Sequence, residues 1–208
     1  MNTVVLNSDD LTYAADVILH GGLVSVPTDT IYGLAGNALN ADAVAKIYEV
    51  KNRPAVKAII LLVPGLDVAE TVCAEIPESA RLLANAFWPG ALSLVLPRRG
   101  TVPDIVTAGG ATIGVRCPDH PKALELLRLT GVPLAAPSAN YSGMPSPKTA
   151  EEVLEYFDGK IDCVIDGGRC ELGFESTIVD LTLEPFRVVR QGAIPEEDIR
   201  RVLRAIKV

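Results

Sequence analysis

Short apolar runs alternate with amphipathic segments along most of this 208-residue chain. The runs with the length and composition of strands lie at residues 4–6, 23–26, 58–63, 92–96, 112–116, 132–136, 163–165, 177–181 and 186–189. Segments whose apolar positions repeat with a helical period lie at residues 41–50, 78–87, 121–129 and 149–157. Mixed strands and helices of these lengths predict an α/β fold with helices packed on an open, twisted sheet. Because the late strands follow one another, we expect a mixed sheet.

Residues at the predicted helix ends support these assignments. Asp9 or Asp10 is expected to cap a first helix that runs to His20 and stops at the glycines that follow. Thr149 with a glutamate three residues later predicts a capping box at the start of the 149–157 helix. Pro195 is expected at the first position of a last helix.

The composition indicates a folded protein. Hydrophobic residues make up 49% and charged residues 22%, and the formal net charge is −7. A chain of this balance is neither disordered nor a disulfide scaffold, and its acidity argues against a surface that coats nucleic acid broadly. No repeat or linker divides the sequence, so we expect a single domain over residues 1–208.

Cysteine usage and hydropathy point to the cytoplasm. The four cysteines form no C-x-x-C pair, and with two histidines they make no cluster at zinc-ligand spacing, so no metal site is predicted. The first residues lack the basic and apolar regions of an export signal, and no apolar run approaches the length of a membrane span. We expect a cytoplasmic protein without a membrane partner.

Three strand ends run into polar turns that contain glycine. They are residues 27–34, 137–143 and 173–177, which are rich in Thr and Ser. Each turn taken singly has a structural explanation, because Pro, Ser, Asn and Gly favour turns for local reasons. Small molecules bind outside strand ends in open α/β sheets. Three such turns in one domain therefore favour a ligand cleft.

Cationic residues form a second group. Lys51, Arg53 and Lys57 follow a predicted helix, and its C-terminal dipole accounts for one or two of these charges but not readily for three. Arg116 and Arg190 each end a predicted strand, where an exposed terminus and a group aimed into a site are equally plausible. Residues 51–150 hold ten Lys and Arg against seven Asp and Glu, within a chain whose net charge is −7. This distribution suits capture of a small polyanion.

Several familiar catalytic patterns are missing. The sequence has neither the phosphate loop G-x-x-x-x-G-K-[ST] nor G-x-G-x-x-G after a first strand, and it has no G-x-S-x-G elbow. His20 ends a helix and His120 lies in a turn, so we expect both to be structural. A nucleotide would have to be bound by side chains from separate segments.

Six motifs in order resemble the YrdC/Sua5/YciO family. They are Pro-Thr-Asp-Thr-Ile-Tyr-Gly-Leu from residue 27, Lys-Asn-Arg-Pro from 51, Ile-Gly-Val-Arg from 113, Pro-Ser-Ala-Asn-Tyr-Ser-Gly from 137, Ser-Thr-Ile-Val-Asp from 176 and Arg-Gln-Gly from 190. The chain ends soon after the last motif, so we expect no additional C-terminal domain of the longer Sua5 type. The resemblance implies a twisted α/β sheet with a concave basic cleft.

The family's activity implies the substrates. The resemblance implies an enzyme that joins L-threonine and bicarbonate to AMP from ATP, with Mg²⁺ on the ATP phosphates, for N6-threonylcarbamoyladenosine formation in tRNA. The positions that match ATP contacts are Lys51, Arg53, Lys57, Thr112, Ser138, Asn140, Ser146 and Arg190. Lys51 and Arg53 are expected to be the catalytic pair. The positions that match threonine contacts are Thr30, Arg116 and Ser176.

One departure from the family pattern keeps alternatives open. Leu62 stands where many members have a histidine, and this region is closer to the YrdC and YciO branches. A nucleotide-binding enzyme with another acceptor therefore remains an alternative. A second alternative is a YciO-like protein that binds double-stranded RNA or tRNA on the same surface. Proteins that transfer the threonylcarbamoyl group to tRNA are further expected partners. We expect Lys51 and Arg53 to be exposed cleft charges that contribute little to stability.

Overall fold

Ten strands form one mixed sheet in the computed structural model, which describes residues 2–7 and 9–204. The strands are β1 (Val4–Leu6), β2 (Val24–Val26), β3 (Gly33–Asn37), β4 (Leu61–Leu62), β5 (Leu92–Pro97), β6 (Thr112–Arg116), β7 (Leu134–Ala135), β8 (Cys163–Ile165), β9 (Thr177–Asp180) and β10 (Arg187–Arg190). Their spatial order is β1-β8-β2-β3-β7-β4-β6-β5-β9-β10. The β1/β8, β2/β8, β4/β6 and β5/β9 pairs are parallel and the others antiparallel. The predicted α/β fold with a mixed sheet is confirmed.

Helices pack on this sheet. They are α1 (Thr12–Leu19), α2 (Ala41–Val50), α3 (Leu66–Val72), α4 (Glu78–Phe87), α5 (Pro121–Thr130), α6 (Ala150–Phe157) and α7 (Glu196–Arg204), with a 3-10 turn at Asp104–Thr107. The predicted bounds of α2 and α4 agree with the structure, because their apolar positions follow the helical period throughout. None of the helices within the described part of the chain has the length and apolarity needed to cross a membrane.

Two helix starts differ from the prediction. Leu11, not Asp9 or Asp10, occupies the N-cap position of α1, and the Asp10 carboxylate accepts a hydrogen bond of 3.0 Å from the Thr12 N–H. Pro195 precedes α7 instead of opening it. Its carbonyl accepts the first N–H groups of that helix, so it lies one position earlier than predicted. Asp10 and Pro195 therefore both accept hydrogen bonds at a helix start, but each lies one position earlier than predicted.

The predicted cap of α6 is confirmed in part. Thr149 is the N-cap, and its Oγ1 accepts the N–H of Glu152 at 3.3 Å. The return bond differs, because the Glu152 carboxylate accepts the N–H of Lys148 at 2.6 Å and not that of Thr149. The start of α6 is therefore held by both side chains, with the second bond shifted by one residue.

Strand β3 was not predicted, and its first two residues belong to the predicted polar turn of residues 27–34. Its segment Gly33–Asn37 contains two glycines, a residue type that disfavours strands. Close packing favours glycine at position 36, because a Cβ there would lie 3.1 Å from the Leu23 side chain and 3.4 Å from that of Ile47. Helix α3 was not predicted, and β4 is shorter than the predicted 58–63 run. Tertiary packing overrides local preference in these segments.

Two hydrophobic cores lie on opposite faces of the sheet. Successive strand residues point to opposite faces, so Leu61 belongs to one core and Leu62 to the other. Helices α2, α4 and α6 contribute to the larger core, whereas α1 and α5 pack over the β8, β2 and β3 side of the other face. The central strands are left accessible on that second face. This is where the candidate site lies.

Candidate active site

A cavity of about 370 Å³ lies on the accessible face of the sheet. Its floor consists of alternate residues of neighbouring strands, because every second side chain points to this face. The floor residues are Ile60, Leu62, Ser93, Val95, Thr112, Gly114, Arg116, Ala136, Ser138, Ser176 and Ile178. Gly114 keeps the floor open, since a Cβ there would lie 3.0 Å from the Ile60 side chain. The cavity is thus a depression in the sheet.

Three arginines from separate segments line this cleft. Arg53 follows α2, Arg116 ends β6, and Arg190 ends β10. Glu175, from the loop before β9, lines the same cleft. The strand-end cations predicted from the sequence therefore meet in one place. Their charge is opposed by one carboxylate among the residues that line it.

Arg116 is buried and held by bonds on all three nitrogens. Its Nε donates to the Gly90 carbonyl at 2.9 Å, Nη1 donates to Thr30 Oγ1 at 2.8 Å, and Nη2 pairs with Asp29. The same Asp29 oxygen accepts the N–H of Asp119 at 3.1 Å. Burial lowers the pKa of Arg116, and the adjacent Asp29 opposes that shift. The guanidinium is therefore fixed in one orientation.

Buried hydroxyls surround Arg116. The hydroxyls of Thr28 and Thr30 are hydrogen-bonded to each other at 2.9 Å, and those of Ser93 and Ser176 at 2.8 Å. Thr30 and Ser176 are predicted threonine contacts, whereas Ser93 was not predicted. A single serine in the apolar segment Leu92–Pro97 marks the side of β5 that faces the cleft. The period of two in that strand could have identified it.

Arg190 occupies the more open end of the cleft. Its Nη1 pairs with a Glu175 carboxylate oxygen at 2.6 Å, and its Nε and Nη2 donate to the Ser176 carbonyl at 3.2 and 2.9 Å. Ser146 donates to the other Glu175 oxygen at 3.2 Å. A second cavity of about 440 Å³ adjoins the cleft at Glu175, and Ser146 and Lys148 line it. Glu175 was not predicted from the sequence, although it lies in a polar turn that was.

Lys51 is not an exposed charge in the cleft, so that expectation is wrong. Its side chain is 1% exposed, and its ammonium donates to the backbone carbonyls of Ser138 and Asn140. Burial and, to a smaller extent, the nearby Arg53 charge lower the pKa of Lys51 to about 7, although Glu175 opposes the shift. Lys51 thereby fastens the end of α2 to the turn after β7.

The remaining predicted nucleotide contacts divide into two groups. Thr112 and Ser138 line the cleft beside Arg53. Lys57 is exposed and does not line it, although its carbonyl accepts a 3.0 Å bond from Arg53 Nε. Asn140 is buried behind the cleft, and its amide nitrogen donates to two carbonyls of its own loop. Its Oδ1 has no protein partner among the described residues.

The histidines and cysteines lie outside the cleft. His20 is the C-cap of α1 and His120 is the N-cap of α5, as expected of structural residues. The four cysteines are buried free thiols. Within residues 2–7 and 9–204, no group of three or more His, Cys, Asp or Glu side chains could hold a metal ion. The cations among the residues that line the cleft are the three arginines.

Comparison with known families matches most of the chain. The sequence model named Sua5_yciO_yrdC, described as "Telomere recombination", matches residues 16–192. Threonylcarbamoyl-AMP synthase of Pyrococcus abyssi is 48% identical over 195 residues, which are 94% of this chain and 57% of that protein. The protein of the same name from Bacillus subtilis is 42% identical, with 97% of this chain and 59% of the relative covered. The chain thus spans less than two thirds of their length.

Solved structures show the same fold. A crystal structure of P. abyssi Sua5 complexed with L-threonine superimposes with a TM-score of 0.94 and 46% identity, covering 96% of this chain and 61% of the other. The crystal structure of E. coli YciO superimposes with a TM-score of 0.83 and 26% identity, covering 95% of this chain and 98% of the other. The predicted resemblance is confirmed at the level of both sequence and fold.

Proposed function

This chain belongs to the Sua5, YciO and YrdC family, and from that premise we propose that it makes L-threonylcarbamoyladenylate from L-threonine, bicarbonate and ATP. The observation that carries the proposal is the meeting of Arg53, Arg116 and Arg190 with buried hydroxyls over one sheet face. The P. abyssi and B. subtilis relatives are longer than this chain, so the activity is argued from the cleft itself. The product would serve N6-threonylcarbamoyladenosine formation in tRNA, in the cytoplasm.

The open end of the cleft suits the ATP phosphates. Arg53 and Arg190 supply cations with several donors each, and Thr112, Ser138 and Ser146 supply hydroxyls. Arg53 already directs two donors to backbone carbonyls, at 3.0 Å to Lys57 and 2.6 Å to Ala58. These bonds hold its guanidinium beside the cleft. We assign Arg53 the stabilisation of phosphoryl charge.

Lys51, Lys57 and Asn140 take positioning roles in this proposal. Lys51 bonds the carbonyls of Ser138 and Asn140, and so fixes the turn that carries the Ser138 hydroxyl. Lys57 supplies a carbonyl that orients Arg53, while its exposed ammonium can reach the phosphates only by moving. The nucleotide is then held by a preorganised surface without a phosphate loop.

The buried end of the cleft suits the amino acid. A guanidinium has five N–H donors, and Arg116 uses one from each nitrogen on the protein, which leaves two for a carboxylate. Thr30 and Ser176 offer hydroxyls beside it, and Leu62 offers an apolar surface for a side-chain methyl group. We therefore place L-threonine against Arg116 and the nucleotide against Arg53 and Arg190.

The proposed reaction needs no protein nucleophile. The threonine amine condenses with bicarbonate to give a carbamate and water. A carbamate oxygen then attacks the α-phosphorus in line, and the bond to pyrophosphate breaks. Mg²⁺ would be held by the phosphate oxygens, since the cleft lining supplies one carboxylate, Glu175. The chain contributes orientation and positive charge.

Pyrophosphate release tests the proposal. The purified protein with ATP, Mg²⁺ and bicarbonate should release pyrophosphate only when L-threonine is added, and the adenylate should be detected by mass spectrometry. A panel of amino acids tests the other-acceptor alternative that Leu62 suggests. Threonine-independent release, or no release by folded protein, would overturn the proposal. Salt-sensitive binding of tRNA or double-stranded RNA without saturable ATP binding would instead favour an RNA-binding protein.

A further inference from the structure

Glu175 places a carboxylate against two groups that the proposed function assigns to the nucleotide. Its Oε2 lies 2.6 Å from Arg190 Nη1, and its Oε1 accepts a 3.2 Å hydrogen bond from Ser146. A carboxylate and a phosphate offer these donors the same kind of anionic oxygens. We propose that the Glu175 carboxylate is an internal competitor of the ATP phosphates, which must displace it from Arg190 and Ser146. This inference rests on the proposed function.

The position of Glu175 in the cleft supports competition. Glu175 lines both the main cleft and the adjoining cavity, so it stands between the two spaces. Its charge is also felt at Lys51, where it opposes the lowering of the pKa by burial and by Arg53. A polyphosphate that binds these cations brings negative charge toward a carboxylate already there. Like charges at short distance repel, so the two anions exclude each other.

The backbone of Glu175 is fixed. The Glu175 carbonyl accepts the N–H of Ala193 at 3.3 Å. Gly192 packs so closely that a Cβ there would lie 2.3 Å from the Glu175 oxygen and 2.5 Å from the Thr177 nitrogen. The hydrogen bond and the close packing hold this loop against the residues that follow β10. We therefore assign the release of Arg190 to rotation of the Glu175 side chain.

The side chain is free to make that rotation. In the ion pair, the Arg190 and Glu175 side chains are 38% and 39% exposed. Pairs with this exposure contribute little free energy, so exchange of one anion for another costs little. The adjoining cavity offers Glu175 a place to move, with Lys148 among its lining residues. Arg190 stays in position meanwhile, because two of its nitrogens remain bonded to the Ser176 carbonyl.

Neutralising Glu175 should therefore tighten nucleotide binding. We would titrate a non-hydrolysable ATP analogue and inorganic tripolyphosphate into the wild-type protein, Glu175→Gln and Glu171→Gln by calorimetry. Glu171→Gln is the matched control, because Glu171 is an exposed residue of the same loop that lines neither cavity. Glu175→Gln is expected to bind both ligands about twofold to fivefold tighter. Glu171→Gln should bind like wild type.

Glu175→Gln made in the Arg190→Ala variant tests whether the tighter nucleotide binding depends on Arg190. In Arg190→Ala the competitor has lost its main partner, so adding Glu175→Gln should give a clearly smaller gain than it gives in the wild-type background. Equal or weaker binding by folded Glu175→Gln, with wild type binding normally, would overturn the competition and leave the proposed function intact. Failure of all variants to bind either ligand would overturn the proposed function. Thermal melts establish that each variant is folded.

Discussion

Two ion pairs of the same chemistry lie at opposite ends of the cleft in opposite environments. Arg116 and Asp29 are 7% and 6% exposed, whereas Arg190 and Glu175 are 38% and 39% exposed. The buried pair carries further bonds to Gly90 and Thr30, which lock Arg116 in place. The exposed pair meets water on several sides. One pair is therefore part of the scaffold, and the other can exchange its anion.

The difference follows from the cost of removing charges from water. A buried guanidinium needs a carboxylate and hydrogen bonds nearby, and removal of the partner leaves an uncompensated charge. A half-exposed guanidinium is still hydrated when its partner leaves. In the proposed reaction the amino acid meets the locked arginine, and the nucleotide meets the exchangeable one. Under this proposal, amino-acid specificity would depend on the rigid end, and exchange of phosphate groups would depend on the open end.

Removal of the Asp29 carboxylate should have the largest effect. In Asp29→Ala the Arg116 charge is buried without its partner, so we expect the free energy of unfolding to fall by about 3–5 kcal/mol. Urea denaturation measures this loss. Glu70→Ala is the control, because it breaks an exposed pair with Arg81 and should cost at most about 1 kcal/mol. Equal losses in both variants would contradict the distinction between the two environments.

Arg53 tests the open end for activity. Arg53→Ala should lower the rate of pyrophosphate release by about 100-fold, the effect of deleting one donor that stabilises developing charge. Its melting temperature should change little. Arg99→Ala is matched, because the Arg99 Nε also donates to a backbone carbonyl, that of Cys73 at 3.1 Å, away from the cleft. If both variants kept full activity, Arg53 would have no role in the reaction.

Lys51 extends the comparison to a buried cation whose ammonium bonds two carbonyls. Its pKa is about 7 in the fold, against the ordinary 10.5. Between these values the unfolded chain binds more protons at Lys51 than the folded chain, so stability rises with pH, by about 1.4 kcal/mol per pH unit at most. Lys51→Met should remove this rise between pH 7 and 10. Lys46→Met, which alters an exposed lysine of the same helix, should keep it.

Measured denaturation curves at several pH values would decide the point. A stability difference between wild type and Lys51→Met that does not vary with pH would show that Lys51 stays charged throughout. In that outcome the hydrogen bonds to the Ser138 and Asn140 carbonyls would offset the free-energy cost of burying the charged ammonium. The exposed Lys46 provides the baseline for unrelated changes with pH.

Removal of the Glu175 charge should have the smallest effect on stability. Glu175→Gln breaks a half-exposed pair, so the free energy of unfolding should fall by less than about 1 kcal/mol. Chemical denaturation at low and moderate salt measures it, since screening weakens what remains of the pair. A loss as large as that of Asp29→Ala would make the two ends of the cleft equivalent.

Local patterns in the sequence account for much of the fold. Helices α2 and α4 and strand β6 have the predicted bounds, because their apolar residues repeat with a clear period. Strand β3 could not be predicted in this way, because it contains two glycines, and Gly36 is suited to its close packing and not to strand preference. The order of the strands along the chain also does not show that β3 lies between β2 and β7 in the sheet.

Residues of the candidate site could be predicted from the sequence where their position at the end of a strand marked them. Arg116 and Arg190 were singled out because each ends a predicted strand. Their carboxylate partners were not, since Asp29 lies 87 residues from Arg116 and tertiary structure alone brings them together. The burial of Lys51 was missed for the same reason, because a lysine at the end of a helix is usually solvated.

Hydrogen bonds around the cleft join residues that are far apart in the sequence. Asp29 bonds Arg116 across 87 residues, Ser93 bonds Ser176 across 83, and Lys51 bonds a carbonyl 89 residues away. Contacts at such sequence separation require the closure of long loops and slow the search for the native topology. During synthesis, the bonds from Ser93 to Ser176 and from Lys51 to Asn140 cannot form until the last third of the chain emerges. Assembly of the cleft is therefore a late event in folding.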